Sequence, residues 1–271
     1  GGGSPSLRPT VRDVVKHVND PSGAGSVYDV WRRHAQVADT TEPRMGDPGG
    51  GSDFAGFYNH LGIPIAEWGF GGGGGVYHSL YDSFHWMSKF GDPTFAYHAA
   101  AARIGAALVL RMANADILPY DYVEYARTMR GYVPQVEKAV KEKGWTVDVT
   151  ALGAAIHRME RAAAAFAATR DSVLARGDPP RGVAVRTNAA LMRVERALTR
   201  PAGLRTRPWF RNLIYAADED NGYANMVFPS VNEAIRSGDR SLAAQEVADL
   251  ASRFDAATKA VTDATAALGG R

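Results

Sequence analysis

An α/β region followed by an α-helical bundle is the fold class this sequence predicts, and three patterns carry that prediction. The apolar run Ile63 to Trp68 reads as a buried strand with helical patterns on either side. Beyond Leu118-Pro119 the strand signals thin out, and Leu152, Ile156, Met159, Ala163 and Phe166 recur at alternating steps of four and three. The same rhythm returns in Val247, Leu250, Phe254, Ala257, Val261 and Leu268. The first region is therefore expected over residues 1–117 and the helical one over residues 118–271.

Length and composition set the outer limits. A chain of 271 residues accommodates one large domain or two ordinary ones, and 45% hydrophobic with 22% charged residues is globular rather than disordered composition. Thirty-one basic side chains face 29 acidic ones, a formal charge of +2, and no Lys/Arg block interleaves with aromatics, so nucleic acid is not an expected partner. The lack of cysteine removes disulfides, thiol catalysis and thiolate metal sites and leaves His and carboxylates as metal ligands. No apolar run reaches the roughly 18 residues a membrane-spanning helix needs, and Gly1 does not open an export signal, so no membrane span is expected. Gly-Gly-Gly-Ser at the start reads as a linker remnant or an internal cut point.

In chain order, Leu7, Val11, Val14, Val15 and Val18 share one helical face, and the turn formers of 19–26 follow. Residues 38–51 read as a long loop with Pro43, Pro48 and several glycines. Ser52 or Asp53 is placed to cap a short helix turning Phe54, Phe57, Tyr58 and Leu61 inward. The strand Ile63 to Trp68 comes next, then the glycine run Gly71 to Gly75, where a chain without Cβ atoms can approach a ligand closely. Asp92-Pro93 opens a helix that reaches about Asp116, with Ile104, Leu108 and Met112 in phase. Leu191, Val194 and Leu198 mark a further helix, which Pro201 to Pro208 interrupt, and an Asn221-Gly222 turn lies just before Tyr223.

The glycine run delivers Tyr77 and His78 beyond a strand's carboxyl end, where open α/β sheets place their ligands. Imidazole binds metal or moves protons near neutral pH, and phenol donates to a developing oxyanion. Spacing alone leaves the alternatives open: a single His between aromatics also serves as a hydrogen-bonded structural residue, and the glycines as a flexible surface loop. No Gly-Lys-Ser/Thr follows the run, which argues against a phosphate cradle. Asp82 would share a helical face with His78 as a neighbouring carboxylate or serve as a cap. The acids Asp218, Glu219 and Asp220 read as a cation site or, more plainly, as a solvated loop.

Tyr77-His78-Ser79-Leu80-Tyr81-Asp82, Lys89-Phe90-Gly91-Asp92-Pro93 and Ala113-Asn114-Ala115-Asp116-Ile117-Leu118-Pro119 resemble the carboxyl-terminal half of the glutamate carboxypeptidase II family. Gly50-Gly51-Ser52-Asp53-Phe54, Arg207-Pro208-Trp209-Phe210-Arg211 and Gly222-Tyr223-Ala224 follow the family's order, so the resemblance covers nearly the whole chain. It implies part of a mixed-sheet, two-zinc exopeptidase domain followed by a helical dimerisation domain of the transferrin receptor type. On that resemblance His78 is the last protein ligand of a two-zinc centre, Tyr77 a hydrogen-bond donor to the tetrahedral intermediate, Gly50, Gly51 and Ser52 the wall of the substrate cleft, and Tyr223 a contact for the substrate's terminal carboxylate. It further implies short peptide substrates, a homodimer, a periplasmic or extracellular setting, and a missing amino-terminal half, separated from this chain by cleavage or truncation or supplied as a separate chain, that carries the other ligands and the general base.

The departures are as specific as the matches. Gly222 stands where glutamate-selective relatives carry lysine, Ser52 replaces an asparagine, and no arginine patch accompanies the cleft, so no strong preference for terminal glutamate is expected. None of His17, His34, His60, His85, His98 and His157 sits in a His-Glu-x-x-His pattern. Two functions therefore stand: the carboxyl-terminal part of a zinc exopeptidase, or a receptor-like dimerisation or scaffolding module without catalysis. The apolar seam of the last helix, with Phe254 and Val261, is expected to be shared between subunits.

Overall fold

The computed structural model describes residues 1–38, 41–71 and 75–270. The chain forms two compact units, one of Gly1–Gly2, Pro9–Gly46 and Ala66–Ala115, the other of Gly3–Arg8, Asp47–Ile65 and Asp116–Arg271.

In the first unit, β1 (Gly2–Gly3) and β2 (Ala66–Glu67) make a two-stranded sheet. Helix α1 (Arg8–Lys16) turns Val11, Val14 and Val15 into the core, and α2 (Val27–Ala35) starts at a capping box in which Ser26 and Asp29 satisfy each other's backbone N–H groups. A three-residue helical turn, α3 (Phe84–Trp86), precedes α4 (Ala96–Ala113), whose Ala100, Ile104 and Leu108 pack with the α1 valines and Met45. Helix α4 starts at Ala96, with Phe95 in the N-cap position, and not at Pro93 as the Asp92-Pro93 pair suggested; Asp92 lies before the cap and its two carboxylate oxygens accept from the N–H groups of Ala96 and His98.

The expected buried strand shrinks here to Ala66–Glu67, and residues 63–68 are only half-buried. Among the described residues each sheet has two strands, so no mixed sheet of peptidase size is present. An apolar run supplies the side chains of a strand but not its hydrogen-bonding neighbours; here Ile63 N–H donates to the Phe57 carbonyl, and Ile65 bonds through its N–H to the Ser4 hydroxyl and through its carbonyl to the Ser4 N–H, in place of a long ladder.

The second unit is largely helical. Helix α5 (Tyr122–Glu142) begins at Asp121, whose carboxylate accepts from the N–H groups of Val123 and Glu124. Helices α6 (Thr150–Leu174) and α7 (Arg181–Ala197) follow. A short antiparallel pair, β3 (Tyr215–Ala217) with β4 (Asn225–Val227), sets Ala216 opposite Met226 and leads into α8 (Pro229–Arg236) and α9 (Arg240–Leu268). The long α9 packs on α6, α7 and α8, which is why its sequence is apolar round more than one face.

That placement corrects the expected shared seam. Phe254, Ala257 and Val261 are fully buried within the single chain, between α9 and its neighbours, and are core residues. The short helix of residues 53–61 also differs from expectation. Tyr58 is fully buried, whereas Phe57 and Leu61 are 58% and 50% exposed, because Gly56–His60 forms a wide π turn that rotates the expected face.

A polar cluster lies inside this unit. Asp47 accepts hydrogen bonds from Arg8 (2.5 Å), Tyr132 (2.5 Å) and Tyr215 (3.0 Å), and burial pushes the Tyr132 phenol up to about 12. Glu195 on α7 is buried with Ser6 donating to its Oε1, and desolvation raises its carboxyl to about 7.

Candidate functional site

Tyr77 and His78 belong to the first unit, on a segment that runs as consecutive turns. Ser79 donates from its N–H and its hydroxyl to the Val76 carbonyl, and Asp82 N–H donates to the Ser79 carbonyl. Because residues 76–82 are not helical, the single face expected for His78 and Asp82 does not form. The Tyr77 and His78 rings lie 3.8 Å apart between centroids, and both residues are exposed. His78 adopts φ = 59°, a left-handed conformation that few non-glycine residues take. Within the preceding glycine run, Gly72 to Gly74 fall outside the described residues, and Gly75 has φ = 63° with open space around it.

Gly50, Gly51 and Tyr223 meet in the second unit. A Cβ added at Gly50 would lie 1.9 Å from the Gly222 carbonyl oxygen and 2.5 Å from the Ala217 Cβ. At Gly51, where φ is +72°, it would lie 2.8 Å from the Tyr223 ring. The Gly-Gly pair is thus what lets this loop pass against the 217–223 loop with the Tyr223 ring close to it. Ser52, next along the loop, is exposed, as is Tyr223, and Gly222 has open space where a side chain would stand.

The loop that presents Tyr223 is braced by residues that no motif singled out. Arg236, at the end of α8, reaches Asp218 with Nη2 at 2.5 Å and Nη1 at 3.2 Å, and its Nη1 also lies 3.3 Å from Asp220 and 3.5 Å from Glu219. The guanidinium holds the Asp218 carboxyl down to about 2 and is itself raised by the same bond. The acidic run read as a cation site or a solvated loop is therefore a clamp on an arginine of this chain. Three adjacent carboxylates were the available signal; their partner, 16 to 18 residues onward, was not marked by any spacing rule.

As a metal centre the chain is incomplete by itself. No group of three or more His, Asp or Glu side chains placed to hold an ion occurs among the described residues, so His78 alone does not fit a two-zinc site. Other histidines are engaged elsewhere: His98 pairs with Asp92 at 2.7 Å, and His60 packs on Trp209. No helix among the described residues is long and apolar enough to cross a membrane.

Residues 147–262 match the transferrin receptor-like dimerisation domain, a span that covers α6, α7, the β3–β4 pair, α8 and most of α9. The chain is 35% identical over 234 residues to the probable glutamate carboxypeptidase LAMP1 of Arabidopsis thaliana, covering 86% of this chain and 33% of that protein. It is 28% identical to the probable glutamate carboxypeptidase AMP1 of the same plant, covering 96% of this chain and 37% of the relative. The rat aminopeptidase NAALADL1 is 26% identical, with 98% of this chain and 37% of the relative covered. The chain is thus a distant homologue of glutamate-carboxypeptidase-like proteins, and it spans about a third of the length of the curated relatives it matches.

Proposed function

We propose that this chain serves as the dimerisation module of a glutamate-carboxypeptidase-like protein and carries one wall of its substrate cleft. The observation that carries this reading is the match of residues 147–262 to a dimerisation domain, laid on a bundle whose core is complete in one chain. Contact with a second copy then falls to surface residues. Val185 and Met192, 59% and 40% exposed and two turns apart on α7, are the apolar candidates for a self-complementary C2 patch. Val185→Asp with Met192→Asp should convert a dimer into a folded monomer; an unchanged dimer would place the contact elsewhere.

A second reading, hydrolysis of short peptides, is favoured by His78. His78 is exposed in a left-handed conformation beside a tyrosine, and strained residues of this kind cluster at functional sites. In that reading His78 is the last ligand of a zinc centre whose other ligands and general base lie in the amino-terminal half of the protein. Tyr77 lines the reacting centre, and Gly50, Gly51, Ser52 and Tyr223 shape the cleft. Zinc content of a protein containing both halves tests it: His78→Ala should lower the stoichiometry without unfolding the chain, and an unchanged value returns His78 to a structural role.

A further inference from the structure

We propose that Arg236 is the positioning residue of the Tyr223 turn: from the end of α8 it clamps Asp218, Glu219 and Asp220 and so fixes Tyr223 against the Gly50-Gly51 segment. The inference rests on the cleft reading of Tyr223 given above and deepens it by naming what sets that residue's place.

The turn is a chain of short-range bonds anchored at Asp218. Its Oδ1 accepts from the N–H groups of Asp220 (2.9 Å) and Asn221 (3.2 Å), while Asp218 N–H donates to the Ala224 carbonyl (2.9 Å). Ala224 N–H closes back on the Asn221 carbonyl, and Tyr223 N–H donates to Asn221 Oδ1 at 3.1 Å. The Asp218 carboxylate accepts the first two of these bonds and so sets the place of Asn221, on which the bonds from Ala224 and Tyr223 close, and Arg236 grips that carboxylate with both terminal nitrogens.

A second brace comes from the same helix. Glu233 on α8 pairs with Arg207, and Arg207 Nη1 donates to the Ala217 carbonyl at 2.7 Å, one residue before the clamp. Helix α8 therefore holds the loop on one side, and the Gly50-Gly51 segment receives it on the other, where no Cβ would fit. Without the guanidinium, three consecutive carboxylates repel one another at close range, and the turn has an electrostatic reason to open. The neighbouring pocket of about 300 Å³ is lined by Glu219, Asp220, Glu233 and Arg236 and gives the displaced acids room to move.

Hydrogen exchange and kinetics on the protein carrying this chain test the proposal together. In Arg236→Ala the amides of residues 220–224 should exchange at least about tenfold faster while those of α6 and α9 keep their rates. Arg236→Lys should recover part of that protection, since it restores charge but not the two-pronged grip. With peptide substrates Arg236→Ala should raise KM and leave kcat within about twofold, as loss of a ground-state contact does. Unchanged exchange at 220–224 overturns the clamp whatever the kinetics show. Faster exchange with an unaltered KM, when Tyr223→Phe itself raises KM, overturns the positioning role. If Tyr223→Phe leaves KM unchanged, the cleft reading of Tyr223 is what fails, and the exchange rates decide the clamp by themselves.

Discussion

Glu195 makes stability fall as pH rises from about 4.5 to about 7. The carboxyl sits on α7 with 2% of its surface exposed, among the phenols of Tyr58, Tyr120, Tyr122 and Tyr125, whose own ionisation its charge opposes. Desolvation raises it from 4.5 to about 7, and the Ser6 and Ser4 hydroxyls offset only part of that rise. Below pH 4.5 the folded and unfolded chains both hold the proton, and this group takes nothing from stability. Between 4.5 and 7 the unfolded chain releases its proton and the folded chain keeps it, so unfolding becomes steadily easier; above 7 both states are ionised and the loss is complete. At about 1.36 kcal/mol per pH unit the loss totals about 3 kcal/mol. Denaturant unfolding of the wild-type chain and Glu195→Gln at pH 4.5, 6 and 8 isolates it, because Gln keeps an oxygen for Ser6 and every other titrating group cancels in the difference. The variant should gain about 3 kcal/mol on the wild type across that range. A difference that stays constant to within about 0.5 kcal/mol would show that the carboxyl is ionised in the folded protein and refute the reasoning.

Three further outcomes follow from the same structure. Asp47→Asn leaves the buried Arg8 guanidinium without its counter-charge and should cost about 3–5 kcal/mol in denaturant unfolding; a cost under about 1 kcal/mol would mean that water replaces the carboxylate there. Phe254→Ala should lose about 3–5 kcal/mol, and Phe254→Asp should fail to accumulate as folded protein, whereas a folded monomeric Phe254→Asp would restore the seam to a subunit interface. If the assembled protein cleaves peptides, Gly222 provides no ammonium for a substrate carboxylate, a bond of roughly 1.5–3 kcal/mol, so a peptide panel should show no strong preference for terminal glutamate.

What could be read from the sequence follows how locally each feature is encoded. Helices α1, α4, α6, α7 and α9 were legible because their apolar spacing repeats over several turns, whereas the start of α4 was misplaced: Asp92 does bond the first turn, but the helix opens at Ala96 behind Phe95. The run Ile63 to Trp68 misled because a strand's partners are set by the rest of the chain; here β1 alone pairs with Ala66–Glu67. Residues 54–61 misled because one π turn shifts which side chains face inward. At the candidate site, Gly50, Gly51 and Tyr223 stood out as matches to a family pattern, and the structure brings them together: a glycine loop that a tyrosine ring approaches closely. Arg236, Asp47 and Glu195 were not legible, since each acts through partners between 16 and 189 residues away. Periodicity also could not say which face of α9 is covered from within, so an internal seam looked like a shared one.

Self-association tests the central claim most directly. Sedimentation of the unmutated chain over a dilution series at micromolar concentration should show a homodimer, which Val185→Asp with Met192→Asp reduces to a folded monomer. A chain that sediments as a monomer throughout that range would contradict its assignment as a dimerisation module.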